Sequence, residues 1–207
     1  MARPKSDIDR RILRAAAKRF LLEGVDGASL RDIARDAKTS VGMIHYWFPN
    51  KDALFMAVVE QHYAALVADL AAALAPDVPL EQRIRRLYAR VAQLSDDEFT
   101  IVRIVLREAM ISGPRLKKIS KRFLDGHIPL VISTVVEGMA TGVFDPELPP
   151  MVAAISLAAL GIVPAVMLRR LAPVIPPGIE LPTPENAAAQ FTSVLFHGIA
   201  KKTAKAR

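Results

Sequence analysis

The side chains that could do chemistry in this chain are four histidines and a group of hydroxyl and basic residues in the first fifty positions. The histidines, His45, His62, His127 and His197, lack metal-ligand spacing, so the sequence predicts neither a metal site nor a cofactor. Catalysis is also unsupported, because the sequence has no G-x-S-x-G, H-E-x-x-H or phosphate-loop motif and no cysteine. We expect a protein that is not an enzyme; an all-α enzyme without a recognisable motif is an alternative.

The formal net charge of +7 is concentrated at the two ends of the chain. Residues 1–52 hold 11 Lys and Arg against 7 Asp and Glu, and residues 201–207 add four basic side chains and no acidic one. A basic segment attracts phosphate backbones and other anionic surfaces. This distribution therefore favours a polyanionic partner, although a merely soluble basic surface would have the same composition.

Three helices must position the polar side chains of the basic N-terminal segment. Apolar residues recurring every four positions predict a first helix from about 6 to 23, closed by Gly24. Ser29, with Asp32 three residues later, predicts the start of a short second helix, and Thr39-Ser40 predicts the start of a third. Helices this short need tertiary contacts, and two of them joined by a tight turn form a helix-turn-helix. The predicted core of this region is Phe20, Leu30, Ile33, Ala34, Val41, Ile44 and Phe48.

Apolar, small and aromatic residues recur at fixed spacings through the same region: Ile12, Leu13, Ala15, Ala16, Phe20, Gly24, Ser29, Ile33, Ala34, Ala37, Ser40, Gly42, Ile44, Tyr46, Phe48, Lys51 and Leu54. At every spacing this pattern resembles the N-terminal pattern of the TetR/AcrR family of bacterial repressors, over about residues 8–58. The rest of the chain is similar to that family only in length, helical content and order of elements. The resemblance implies a ligand-responsive transcriptional repressor that binds a near-palindromic operator as a homodimer.

The resemblance also implies which residues contact double-stranded DNA. Hydroxyl groups at the starts of the second and third helices can hold phosphates, and Gly42 lets the third helix approach the duplex closely. Val41, Met43 and His45 would face the major groove. Tyr46 and Lys51 resemble the phosphate contacts of the family. The predicted DNA-binding residues are therefore Ser29, Thr39, Ser40, Val41, Gly42, Met43, His45, Tyr46 and Lys51.

Three residues depart from the family pattern. Lys38 stands in the turn where the family usually has glycine, so we expect a non-glycine residue with positive φ there. His45 replaces a common tyrosine, and Trp47 replaces a common tyrosine or histidine. The fold tolerates such changes, but the operator sequence cannot be inferred from them.

Helical periodicity continues to the C-terminus and predicts an all-α chain of about nine helices, with no strand pattern. We place the helix-turn-helix domain at residues 1–50 and an effector-binding and dimerisation domain at residues 51–207. Residues 114–140 are expected to be helical with an interruption near Gly126–Pro129, and the last helix is expected from about Pro184 to Lys201.

The apolar segment at residues 151–168 has two possible functions. It is uncharged and long enough to cross a membrane, and Arg169-Arg170 follows it. Its content of alanine and a stripe of small residues instead favour close helix packing. In the family, the last two long helices form the dimer interface. We expect an interface and no membrane, with a membrane-tethered DNA-binding protein as the alternative. The interface residues predicted on the last helix are Ala187, Ala188, Phe191, Val194, Leu195 and Ile199.

An effector pocket within the middle helices is implied by the resemblance alone. One helical face at about residues 96–111 carries apolar side chains, and Arg103 and Arg107, one turn apart, could meet an acidic ligand. Solvated arginines over a filled core are the alternative. The predicted ligand-binding residues are Phe99, Val102, Arg103, Leu106, Arg107, Met110 and His127.

The absence of cysteine fits a reducing compartment, and the residues after Met1 are charged rather than apolar. We therefore expect a cytoplasmic protein without a signal peptide. Its expected partners are double-stranded DNA, a second copy of the chain and an unidentified small molecule.

Overall fold

The computed structural model describes residues 7–111, 113–176 and 178–197. Within these residues the chain forms ten α-helices, one short 3-10 turn at Ala172–Val174 and no strand, which confirms the predicted all-α fold. In chain order the helices are α1 (Asp7–Gly27), α2 (Leu30–Asp36), α3 (Val41–Trp47), α4 (Lys51–Ala73), α5 (Leu80–Ala92), α6 (Asp96–Ile111), α7 (Pro114–Leu124), α8 (His127–Ala140), α9 (Pro150–Leu171) and α10 (Pro184–His197).

The helix count differs slightly from the expected nine because residues 114–140 form two helices. The predicted interruption lies at Asp125 and Gly126, and it separates α7 from α8 completely. The last helix was predicted to reach Lys201; the described part ends at His197, and the predicted interface residue Ile199 and the basic tail lie outside the described residues.

The chain divides into two compact units that do not follow the order of the sequence. Unit 1 comprises Met1–Leu66 and Ser95–Leu124, and unit 2 comprises Val67–Leu94 and Asp125–Arg207. The helix-turn-helix segment therefore shares its compact unit with α6 and α7, a long-range association that local periodicity does not encode.

The core of unit 1 surrounds the helix-turn-helix. Phe20, Ile33 and Ile44 are fully or almost fully buried, as predicted from the sequence. The ring of Phe55 on α4 meets that of Phe20 edge to face at 6.2 Å, which extends the predicted core by one helix. Gly24 interrupts α1 with φ of 79° and ψ of 166°, a conformation open almost only to glycine, so the predicted break is confirmed there although the helix resumes to Gly27.

The core of unit 2 is formed by α5, α8, α9 and α10. Leu157 and Ile84 are fully buried within it, and the hydroxyl of Tyr88 donates to the Leu157 carbonyl at 2.9 Å. Burial raises the pKa of Tyr88. The buried guanidinium of Arg83 donates to the Leu74 carbonyl and to Glu137 on α8. Polar anchors thus fix α5 against its neighbours in an otherwise apolar core.

The last helix packs on its own chain with most of the residues predicted for the dimer interface. Ala187 and Ala188 are buried, and Phe191 and Leu195 pack against the core of unit 2. Along this contact of α10 with α5, Phe191 and Leu195 remain partly exposed.

Two single helices are long and apolar enough to cross a membrane by length and composition, Lys51–Ala73 and the segment Pro150–Val174. The inner face of α9 nevertheless packs on protein, since Ala153, Ala154 and Leu157 are buried. Its outer face is apolar and exposed along the helix: Met151, Val152, Ile155, Val163, Met167 and Leu171.

Candidate nucleic-acid interface

Ser29 and Ser40 begin the two short helices, as the sequence predicts. Ser29 Oγ accepts a hydrogen bond from the Arg31 amide at 3.2 Å, and Ser40 Oγ accepts one from the Met43 amide at 3.2 Å. Each hydroxyl satisfies one of the free amides at its helix start. Each still has a proton that it can donate.

Lys38 forms the turn between α2 and α3 in a left-handed conformation, with φ of 52°. The Lys38 amide donates to the Arg35 carbonyl at 3.1 Å and the Thr39 amide to the Ala34 carbonyl at 2.9 Å. This pair of bonds is a Schellman motif, in which glycine usually occupies the left-handed position. The expectation of positive φ at a non-glycine residue is therefore confirmed.

The exposed face of α3 consists of Gly42, His45 and Tyr46, whose side chain is 56% exposed. On the opposite face Ile44 is buried and holds the helix to unit 1, while Val41 and Met43 are half-buried at its edges. A Cβ added at Gly42 would meet only Ser40 Oγ, at 3.7 Å. The fold therefore leaves open space at this position.

The aromatic residues that end α3 divide between surface and core. Tyr46 is exposed, whereas Trp47 and Phe48 are half-buried, and the rings of Tyr46 and Trp47 meet edge to face at 5.5 Å. Trp47 Nε1 is shielded from solvent and has no hydrogen-bond partner in the described part of the chain. Trp47 therefore packs largely as a core residue, with a polar atom that the fold does not satisfy.

Two predicted phosphate-contacting residues are already engaged with the backbone. Lys51 Nζ donates to the Asp26 carbonyl at 2.9 Å, and the half-buried Thr39 contributes its amide to the turn. An ammonium group has three donors, so Lys51 keeps donors for an anion while its position is fixed by α1.

Ion pairs fix the orientation of α2. The Arg19 guanidinium on α1 contacts Asp36 and Glu23, each at 2.7 Å, and it lowers the pKa of Asp36 through the hydrogen bond. Arg35 pairs with Asp32 at 2.6 Å within α2. Much of the positive charge of this segment is therefore locally neutralised, whereas Arg31 and Lys38 are exposed.

Arg115 joins α7 to the helix-turn-helix, a contact that the sequence did not predict. Its guanidinium contacts Asp26 at 2.5 Å, Glu108 at 2.7 Å and Asp52 at 3.3 Å, and the side chain is only 13% exposed. Lys118 adds a contact to Asp52 at 2.9 Å. Hydrogen bonds from these cations hold the pKa values of Asp26 and Asp52 below the usual range. Asp26 and Asp52 are 89 and 63 residues from Arg115, so no local pattern could indicate the cluster.

The predicted ligand-binding residues are divided between the two units. His127 begins α8 in unit 2, whereas the other six lie on α6 in unit 1. On α6, Phe99 and Val102 are half-buried, Leu106 is exposed, and Met110 is 88% exposed.

The two arginines of α6 make contacts within unit 1. Arg103 lies over the Phe99 ring, with its guanidinium carbon 5.9 Å from the centroid. Arg107 donates to the Glu23 carbonyl at 3.5 Å and covers Gly24, where an added Cβ would lie 3.0 Å from the guanidinium. Arg107 therefore packs against α1.

Comparison with known proteins gives a match to one family model and to two repressors. Residues 12–58 match the model for bacterial regulatory proteins of the tetR family. The chain is 32% identical over 135 residues to the HTH-type transcriptional repressor NicS of Pseudomonas putida, covering 64% of each chain. It is 35% identical over 104 residues to the nicotine-responsive transcriptional repressor HdnoR of Paenarthrobacter nicotinovorans, covering 47% of this chain and 52% of that protein. The matches thus span less than two thirds of either relative.

The whole fold also has solved counterparts. The structure of the regulator FadR from Bacillus subtilis in complex with stearoyl-CoA matches with a TM-score of 0.74 at 14% identity, over 92% of this chain and 99% of that one. At this identity the likeness concerns the fold alone. Residues 12–58 thus match the model for tetR-family regulatory proteins, and the whole chain shares the fold of the FadR structure.

Proposed function

We propose that this protein is a ligand-responsive transcriptional repressor that binds a near-palindromic operator as a homodimer. The observation that carries the proposal is the α3 surface, where Gly42, His45 and Tyr46 are exposed on a helix anchored by the buried Ile44. A short helix held from behind, with a glycine in open space on its outer face, suits insertion into a major groove. The functional boundary near residue 50 and the cytoplasmic location belong to this proposal.

The proposed DNA contacts divide into two kinds. His45, Val41 and Met43 read bases, the last two from the edges of the exposed face by apolar contacts. The remaining residues position the backbone of the duplex: Ser29, Thr39, Ser40, Gly42, Tyr46 and Lys51. Exposed Lys38 adds a cation at the turn.

The exposed outer face of α9 supports dimerisation. Met151, Ile155 and Met167 are each at least 46% exposed, and exposed apolar side chains grouped on one side of a helix often mark an interface. A twofold pairing through α9 would present two copies of α3 to the same duplex. Half-sites would then be separated by about one helical turn or a multiple of it.

Control by a small molecule follows from linkage. Suppose that an effector binds more tightly to a conformation in which the spacing of the two α3 helices does not suit DNA. The effector then lowers the affinity for DNA, and DNA lowers the affinity for the effector by the same coupling free energy. The relatives support the existence of such control, since HdnoR is named as nicotine-responsive and the FadR structure contains stearoyl-CoA. Within unit 1, Arg115 and Lys118 of α7 form ion pairs with Asp26 on α1 and Asp52 on α4.

The proposal is tested by selecting bound fragments from a random DNA pool and by gel filtration of the same sample. We expect a near-palindromic consensus and a dimer, with an affinity that falls steeply as salt increases. A chain that binds no duplex even in dilute buffer without small molecules would refute a DNA-binding function. Sedimentation with membranes after cell fractionation would instead support a membrane-tethered protein anchored by residues 151–168.

Three variants assign the contacts. Gly42→Ala should leave the fold intact because its Cβ has room, yet it should weaken operator binding by obstructing close approach. Lys51→Ala should weaken binding to all sequences alike, whereas Met43→Ala should change the preference among them. An unchanged sequence preference in Met43→Ala would remove that residue from the base-reading set.

A further inference from the structure

Unit 2 contains a half-open cavity of about 250 Å³ between α5, α9 and α10. Small or cyclic residues form much of its wall, among them Ala92 on α5, Gly161, Pro164 and Ala165 on α9, and Ala187 on α10. None of the seven ligand-binding residues predicted from the sequence lines it. The cavity is therefore a separate candidate site.

The cavity continues the inner face of α9. One turn after another, this face first carries Ala154 and Leu157, which are buried in the core of unit 2. Gly161, Ala165 and Leu168 follow on the same face at helical spacing, and they line the cavity instead. The space is thus a gap in the packing of unit 2, on the side of α9 opposite the apolar outer stripe proposed for dimerisation.

Two features define the wall of this space. The Tyr88 ring lies against α9 so closely that a Cβ at Gly161 would be 3.0 Å from it, and its hydroxyl is held by the Leu157 carbonyl. Pro164 has no amide proton, so it cannot donate to the carbonyl of Leu160, and the helix is loosened where it borders the cavity. The site is formed without a ligand, which lowers the cost of binding one.

The lining defines the chemistry of the occupant. Arg169 is the charged side chain among the lining residues, and its guanidinium is held in place by the Leu94 carbonyl. Guanidinium groups favour carboxylates and disfavour cations. Since benzene fits a cavity of about 150 Å³, a cavity of this size accommodates about ten non-hydrogen atoms.

We infer that the cavity between α5, α9 and α10 binds a compact, mainly apolar ring compound that is neutral or carries a single carboxylate near Arg169. Such a ligand would fill the inner face of α9 while the outer face remains available to a second copy of the chain. A ligand at this position is placed to change the pairing of two subunits. That this ligand acts as an effector rests on the proposed function, whereas its binding to the cavity does not depend on that function.

The test uses the full chain and three probes that share one ring system: indole, indole-3-carboxylate and tryptamine. Calorimetry should show binding of the first two and much weaker binding of the cationic tryptamine. Ala165→Phe places a ring in the cavity and should weaken indole-3-carboxylate by at least about tenfold. The matched control is Ala71→Phe, at an exposed position of α4 that does not line the cavity. Ala165→Val provides a smaller change in case the larger one prevents folding, and it should weaken binding by less.

Several results would overturn the inference. One is that the unmodified chain binds neither indole nor indole-3-carboxylate at millimolar concentration. Another is that Ala165→Phe and Ala71→Phe bind indole-3-carboxylate equally well. A third is that tryptamine binds more tightly than indole-3-carboxylate. Loss of the dimer in Ala165→Phe without a change in probe affinity would identify the space as part of a subunit contact instead. Operator binding measured on the same samples reports on the proposed function separately, because a chain can bind DNA without the probes or the probes without DNA.

Discussion

Units 1 and 2 are both helical, yet they are stabilised in different ways. In unit 1 a nearly buried guanidinium, Arg115, connects α7 to α6 and to the helix-turn-helix through Glu108, Asp26 and Asp52. In unit 2 the core is apolar apart from the buried guanidinium of Arg83, which pairs with Glu137, and small residues on α9 leave a cavity beside Tyr88. The difference indicates that unit 1 depends on a cluster of charges that fixes the position of short helices. Unit 2 has a single buried guanidinium among its described residues and otherwise depends on apolar packing that leaves a cavity.

The largest expected effect is that of Arg115→Ala. The variant leaves the Glu108 carboxylate, 5% exposed, without its cation, and loss of one partner from such a cluster should cost about 3 kcal/mol of unfolding free energy. Urea unfolding measures the change. The control is Arg86→Ala in unit 2, whose ion pair with Asp77 is largely exposed and should contribute little. Equal losses in both variants would mean that the Arg115 cluster contributes no more to stability than an exposed ion pair does.

Replacement of Gly24 should produce the next largest effect. Gly24→Ala forces a side chain into a backbone conformation with φ of 79° and against Arg107, and should cost about 2 kcal/mol. Gly42→Ala is the matched control, because that helical position has free space. Thermal unfolding of the two variants should therefore differ clearly. A Gly24→Ala variant as stable as the unmodified chain would show that the break in α1 is not required.

Lys38→Gly should increase stability. Glycine adopts the left-handed conformation of this turn without steric strain, so the substitution should raise the unfolding free energy by about 1 kcal/mol. If Lys38 also meets a phosphate, the slope of log affinity against log salt should fall by about one. An increase in stability with an unchanged salt slope would leave Lys38 a structural role only.

Acid should destabilise unit 1 by a smaller, graded amount. Arginine and lysine partners lower the pKa values of Asp26, Asp36 and Asp52 below 3.8, so the folded state binds protons less readily than the unfolded chain. The stability that they contribute is complete above the unfolded value and is lost as pH falls through the lowered values. Unfolding measured between about pH 5 and 2 should show this loss. In Arg115→Ala the loss should be smaller, since the main cause of the low Asp26 pKa is removed.

Much of the helix-turn-helix could be predicted because its determinants are local. The caps at Ser29 and Ser40 and the positive φ at Lys38 each depend on a few neighbouring residues, and the structure confirms all three. The break at Gly126 was located but was counted as an interruption within one helix, because periodicity alone does not measure the change of direction.

The remaining features depend on contacts between distant residues. Arg107 has the spacing of a ligand-binding arginine but packs on Gly24, which lies far from it in the sequence. The small residues of α9 were interpreted as a packing stripe. Gly161 does allow the Tyr88 ring to approach closely, yet both Gly161 and Ala165 border the cavity. The positions of α5 and α10 decide which small residues are packed and which border empty space.

Trp47 is the single tryptophan of the chain, and it lies at the end of the helix proposed to enter the groove. Its indole is half-buried beside Tyr46, and its nitrogen has no hydrogen-bond partner among the described residues. Tryptophan fluorescence of the unlabelled protein therefore comes from Trp47 at the end of α3 alone. A change in its emission on adding a duplex would report directly on the environment of α3, free of any optical background from unit 2.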